Sequence, residues 1–294
     1  MNLFVFGLGY SARQFIGRYR DRFAEIAGTV RSPEKAQEIA AEGVEAYRFD
    51  ATDHDPRILS SLACADALLI SIPPVGETDP VLDRFSEAIA AAPSLRWVGY
   101  LSTVGVYGNA DGGWVDEDTP PNPATLRSRH RTAAERQWLD LGTGGAFAVQ
   151  VFRLAGIYGP GRNALVKIAD GTAKRIVKPG QVFNRIHTED IAQVLMASID
   201  RPSRNAIYNV ADDEPGPPQD VIAYAAELLG REPPPEIPFD EADQTPMARS
   251  FYADNKRVRN TRLKTELGVK LRYPTYREGL RALLEAGEGV RREG

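Results

Sequence analysis

Leu3-Phe4-Val5-Phe6-Gly7-Leu8-Gly9-Tyr10-Ser11-Ala12 opens the chain, and its parts read differently. Leu3–Phe6 is a short unbroken apolar run, the pattern of a strand buried on both faces. Gly7 to Ala12 is G-x-G-x-x-A, and the stretch after it is amphipathic at helical spacing. Strand, glycine turn and helix in that order make a phosphate-binding turn. Gly7 permits the tight bend, Gly9 lets the main chain approach a diphosphate, and small Ala12 lets the helix pack on the strand. The N–H groups that open the helix, at Tyr10 and Ser11, then hold the anion with the help of the helix dipole. The same residues have two competing readings: a glycine turn needed only for packing, and the glycine loop of a methyltransferase-type site.

Outward from this turn the first two-thirds of the chain alternate apolar runs with amphipathic stretches. Candidate strands are Leu3–Phe6, Ile26–Val30, Val44–Phe49, Ala67–Ile72, Trp97–Leu101 and Ala146–Leu154. Ser32-Pro33 and Asp79-Pro80 read as an N-cap with proline at the first helical position, Gly43 closes the first of these helices, and Thr125 caps another. Strands alternating with helices predict βαβ units, and hence an α/β fold: a Rossmann-type doubly wound parallel sheet. After Leu154 the rhythm breaks. Gly156 to Asn163 is a glycine-rich loop, Val182–His187 and Ala206–Val210 are further strands, and a helix starts near Thr188. The expected division is a dinucleotide domain of residues 1–155 with 181–213, and a smaller discontinuous lobe of residues 156–180 with 214–294 for the substrate.

The 294 residues carry a net charge of −4 and are 43% hydrophobic, so the chain is neither a nucleic-acid-coating protein nor disordered. No apolar run approaches the ~20 residues of a membrane helix. The opening residues lack the charged start and the cleavage site of a signal peptide. A single cysteine, Cys64, suits a cytoplasmic location. His54, His130 and His187 have no partners at metal-ligand spacing, so no metal is expected.

NAD-binding proteins place an acid about 20 residues beyond the glycines, on the ribose 2′-hydroxyl. Here the second strand ends Gly28-Thr29-Val30-Arg31-Ser32, with Arg31 where the acid would be. A guanidinium suits a 2′-phosphate, so NADP(H) is preferred, with NAD(H) as the alternative. The plain reading of Arg31 is a solvated residue at a strand end. Asp50, ending the third strand, either accepts from the adenine amino group or caps the next helix. Ser32, Ile72-Pro73, Ser102 and Leu154-Ala155 lie at the same edge of the sheet and complete the cofactor set.

Further segments carry a family likeness. They are Ser102-Thr103-Val104-Gly105-Val106-Tyr107-Gly108, Phe152-Arg153-Leu154-Ala155-Gly156-Ile157-Tyr158-Gly159-Pro160-Gly161-Arg162, Arg185-Ile186-His187-Thr188-Glu189-Asp190 and Tyr208-Asn209-Val210-Ala211-Asp212. Together the chain resembles the extended short-chain dehydrogenase/reductases of the NAD-dependent epimerase/dehydratase family. The resemblance implies a nicotinamide cofactor, a small-molecule substrate over the C-terminal ends of the strands, and a homodimer through a helix pair. It also implies a Ser or Thr, a Tyr, and a Lys four residues after the Tyr, as the chemical groups.

Thr103 matches the first of these. The other two positions, anchored on Pro123 and Glu135, hold Arg127 and Arg131. Their spacing puts them on one helix face. Tyrosine, with a pKa near 10, can be tuned to relay a proton, whereas arginine cannot act as a base. Arg127 is therefore expected to grip an anion and Arg131 to hold the cofactor ribose. Tyr107 and Tyr158 flank the expected cleft as replacement proton donors. His187 reads as a structural residue that places the next helix. The expected function is an NADP(H)-dependent oxidoreductase or epimerase-like enzyme acting on a sugar nucleotide or other anionic carbonyl compound with altered acid–base residues. The alternative is a non-catalytic NADP(H)-binding redox sensor or partner-binding protein.

Overall fold

The computed structural model describes residues 1–50 and 53–290. Its centre is a sheet of β1 (Asn2–Phe6), β2 (Glu25–Val30), β3 (Glu45–Arg48), β4 (Ala67–Ile70), β5 (Trp97–Thr103), β6 (Ala148–Leu154) and β7 (Ala206–Val210). Every pairing is parallel, in the order β3-β2-β1-β4-β5-β6-β7. The chain starts in the middle, builds one half, then crosses β1 to build the other. The reversal between β1 and β4 leaves a crevice at the strand ends, where ligands bind in such sheets.

Helices cover both faces: α1 (Tyr10–Tyr19), α2 (Pro33–Ala40), α3 (Arg57–Ala63), α4 (Pro80–Ala90), α5 (Leu126–Gly144) and α7 (Thr188–Asp200), while α6 (Ala164–Ala169) packs away from the sheet. Period-two alternation in β1 assigns the faces. Leu3 and Val5 join Phe15 of α1 and Ile191, Val194 and Leu195 of α7. Phe4 and Phe6 join Ile58 and Leu62 of α3, Phe85 and Ile89 of α4, and Trp138 of α5. Burying each such side chain contributes about 1.5–3 kcal/mol, which is why the strands read as unbroken apolar runs.

The expected caps form. Ser32 accepts from Lys35 N at 3.3 Å, Asp79 from Val81 N at 3.0 Å and Thr125 from Ser128 N at 3.1 Å. His187 caps α7 through Nδ1, which accepts from Glu189 N at 3.1 Å. Element bounds differ where turns intervene. β4 stops at Ile70 ahead of Pro73-Pro74, which have no N–H to give a ladder. β5 runs on to Thr103, paired with Leu154. Of the expected strand Val182–His187 only Arg185–His187 is extended, and it pairs with Gly156–Tyr158 outside the main sheet. Val182 N and Phe183 N instead donate to Asn255 Oδ1 and Gly216 O.

Past β7 lie α8 (Pro218–Leu228), α9 (Pro246–Phe251), α10 (Thr261–Glu266) and α11 (Tyr276–Glu285). Tyr158, Leu165 and Ile168 bury against Val221 and Ala225 of α8 and Leu280 and Leu283 of α11, in a core separate from the sheet. Val258, Leu263, Leu267 and Leu271 instead pack with the sheet core. Among the described residues no helix is long and apolar enough to cross a membrane, and no cluster of His, Cys, Asp and Glu could hold a metal.

Candidate cofactor and substrate site

The turn between β1 and α1 is shaped by two glycines with different jobs. Gly7 has φ +94°, and a Cβ on it would lie 2.5 Å from Ile72 Cγ2. Its N–H donates to Thr29 Oγ1 at 3.0 Å, which ties the turn to β2. Gly9 stands at the N-cap of α1 in extended backbone, and a Cβ there would meet nothing within 4 Å. No side chain caps α1 and no acid lies in its first turn, unlike α2 or α4. Open space beside Gly9 and uncapped amides at a helix N-terminus fit a diphosphate. Ala12 is fully buried against the strand, and Ser11 is nearly so. Tyr10 gives its hydroxyl to Pro160 O at 2.9 Å, so its amide alone is left for an anion.

Along the rim, Arg31 is exposed, and its guanidinium meets no acid and no hydrogen-bond acceptor among the described residues. Asp50 accepts from Arg48 Nη2 at 2.5 Å and from Asp53 N at 2.9 Å. α3 begins at its N-cap Pro56 with no side-chain cap, and Asp55 Oδ1 just ahead of it accepts from Arg57 N at 2.9 Å. Half-buried Ile72 fills the space beside Gly7, and Pro73 is exposed at the crevice. Leu154 and Ala155 are buried at the end of β6, with Ala155 N donating to Val210 O at 3.0 Å.

Thr103 ends β5 and caps the short turn Val104–Tyr107, its Oγ1 accepting from Gly105 N at 3.1 Å. No acceptor among the described residues takes its O–H. Arg127 and Arg131 share a face of α5, yet they part at their tips. Arg131 Nη1 donates to Tyr100 OH and to Leu101 O, each at 3.0 Å, turned down onto β5. Arg127 is exposed and stacks 5.3 Å from the ring centroid of Phe251 at the end of α9.

Two expected residues are engaged elsewhere, and a third turns away from the crevice. Tyr107 is buried, donates to Asn209 Oδ1 at 2.7 Å and accepts from Arg153 Nη1 at 2.9 Å, so it has no group to offer a substrate. Burial pushes its hydroxyl above the ordinary range despite the Arg153 cation beside it. Ser102 is buried and donates to Glu135 Oε1. Tyr158 points its hydroxyl at α11, where a Cβ on Gly279 would lie 2.1 Å from it, and not into the crevice.

Glu135 and Arg153 form a buried pair that sequence reasoning missed. Arg153 Nη2 reaches Glu135 Oε2 at 2.8 Å, and both side chains are under 5% exposed. Asn209 N in turn donates to Glu117 Oε1 at 2.8 Å. This network ties α5, β5, β6 and β7 together directly beneath Thr103. Arg153, a charge inside the apolar run of β6, was the available signal; Glu135, on a largely polar helix, carried none.

The parallel order and the glycine turn after β1 define a Rossmann-type α/β fold. The solved structures that share this fold include proteins described as NAD-dependent epimerases and dehydratases. No protein-family model matches it. A solved structure of a functionally unknown conserved protein from Silicibacter pomeroyi DSS is 53% identical, with a TM-score of 0.90, over 98% of this chain and 99% of that one. A Methylobacillus flagellatus protein, provisionally described as an NAD-dependent epimerase/dehydratase, is 26% identical, with a TM-score of 0.70, over 97% of this chain and 98% of that one. Protein YeeZ of Escherichia coli (strain K12) is 27% identical over 281 residues, which is 92% of this chain and 95% of the relative.

Proposed function

We propose that the chain is a nicotinamide-dependent hydride-transfer enzyme that prefers NADP(H) and acts on an anionic carbonyl compound, with sugar nucleotides among the candidates. The uncapped glycine turn, open beside Gly9, carries this reading. Gly7 would shape the turn, the open space at Gly9 and the amides of Tyr10 and Ser11 would take the diphosphate, Arg31 the 2′-phosphate, and Arg131 a ribose hydroxyl. When bound, the coenzyme supplies or accepts the hydride. Thr103 donates its free O–H to the substrate oxygen. Residues 1–155 with 181–213 serve the coenzyme, and residues 156–180 with 214–294 serve the substrate.

Arg127 sets the chemistry apart. An arginine does not exchange protons near neutral pH, so its contribution is a fixed positive charge that grips a carboxylate or phosphate. The pH profile of kcat therefore lacks the limb that a low-pKa tyrosine produces.

One observation favours a second reading, a non-catalytic NADP(H)-binding protein. Tyr107 and Tyr158 are buried and turned away, so neither tyrosine hydroxyl replaces the missing one. Following NADPH oxidation with a panel of nucleotide sugars and keto acids decides between them. Turnover by the wild type, with a raised KM in Arg127→Ala, supports the enzyme. Cofactor binding without turnover, with activity appearing only in Arg127→Tyr/Arg131→Lys, supports the second reading.

A further inference from the structure

The loop 159–163 faces the glycine turn from the opposite wall of the crevice, and it is held from several sides. Gly159 and Arg162 exchange backbone hydrogen bonds of 3.1 and 3.0 Å. Asn163 Nδ2 donates to Gly159 O at 3.0 Å and to Glu288 Oε2 at 3.0 Å. Gly161 N donates to the same carboxylate, at 3.0 and 3.1 Å. Pro160 O accepts from Tyr10 OH at 2.9 Å. A side chain at Gly159 would strike that contact, since its Cβ would lie 2.8 Å from Tyr10 OH and 2.3 Å from Thr188 Oγ1.

The result of this bracing is the position of one cation. The Arg162 guanidinium lies 5.8 Å from the ring centroid of Tyr10, the first residue of α1. It is exposed and has no ion-pair partner among the described residues, because Glu288 is taken up by Gly161 and Asn163. An unpaired guanidinium thus lies against the side chain of Tyr10, the residue that opens a helix whose first amides have no side-chain cap. The guanidinium and the amides attract the same thing, a phosphate.

We propose that Arg162 is a second binding group for the coenzyme diphosphate, reaching it from the loop opposite the glycine turn, and that Glu288 positions it. This rests on the reading that a nicotinamide dinucleotide occupies the turn. It divides the phosphates between two arginines: Arg31 takes the 2′-phosphate and Arg162 the diphosphate.

Three probes separate these contacts. NADPH carries both groups, ADP-ribose only the diphosphate, and 2′-AMP only the 2′-phosphate. Removing one charge-assisted phosphate contact weakens binding about tenfold. Arg162→Ala should therefore weaken NADPH and ADP-ribose about tenfold and leave 2′-AMP unchanged, with most of the loss restored in Arg162→Lys. Glu288→Ala should move ADP-ribose the same way by a smaller factor. Full ADP-ribose affinity in Arg162→Ala overturns the proposal. Equal weakening of 2′-AMP also overturns it, because the residue would then be holding the fold and not the diphosphate. If the wild type binds none of the three, the coenzyme reading itself has failed, and the proposal with it.

Discussion

Replacing Glu135 by alanine strands the Arg153 guanidinium in the core. Arg153 would lose contacts from Nη2 at 2.8 Å and from Nε at 3.2 and 3.3 Å, while Ser102 would lose its acceptor. Both members of the pair are almost inaccessible to water, so solvent cannot replace what is lost. Breaking a buried pair in this way costs about 3–5 kcal/mol. A chain of this length has an unfolding entropy of about 0.6 kcal/mol/K, so the Tm should fall by about 5–8 °C. Removing both charges with Glu135→Leu/Arg153→Met should recover at least half of that, since no charge is then left buried. Thermal melts followed by circular dichroism measure both. A Glu135→Ala variant melting within about 2 °C of the wild type would refute the reasoning, as would a double variant less stable than the single one.

Gly9→Val should leave the melting temperature nearly unchanged, because its side chain enters open space at a β-compatible backbone angle. It should abolish NADPH binding in a fluorescence titration. Gly7→Ala should instead cost stability as well, about 1–2 kcal/mol or more, through its positive φ and the approach to Ile72. Burial raises the Asp190 carboxyl to about 6, although Arg272 N and Tyr273 N donate to it. A carboxyl raised in the folded state is penalised for ionising. Its penalty is absent below its unfolded pKa near 4, grows as pH rises, and is complete above about 6. The stability of Asp190→Asn relative to the wild type should therefore improve by about 3 kcal/mol between pH 4 and 7, read from urea melts; a flat difference contradicts this. His187, pushed down to about 4 by burial, works the other way. It favours the fold most above pH 6.5 and loses that stabilisation as pH falls to 4, so His187→Gln should flatten the acid limb of the wild-type curve.

The sheet was legible because each strand is buried on both faces and announces itself as an apolar run bounded by glycine, proline or a capping residue. Ser32, Asp79, Thr125 and His187 act within three residues of their own positions, so sequence spacing alone locates them. Long-range pairing was less visible. Nothing local says that Glu135 on α5 meets Arg153 on β6, or that this meeting consumes Ser102 and Tyr107. The direction of Tyr158 depends on room left by Gly279, more than a hundred residues away. Residues 182–184 resemble a strand but are drawn off by Asn255 and Gly216. The helical spacing of Arg127 and Arg131 was correct, yet spacing does not reveal that one tip folds onto Tyr100 and the other onto Phe251.

Crystals grown with NADP+ test the central claim most directly. The account predicts continuous density across the turn from Gly7 to Ala12. The diphosphate should lie within ~3 Å of helix amides, and the 2′-phosphate should lie against Arg31. A bare crevice, or density for an unrelated molecule carried through purification, would contradict it.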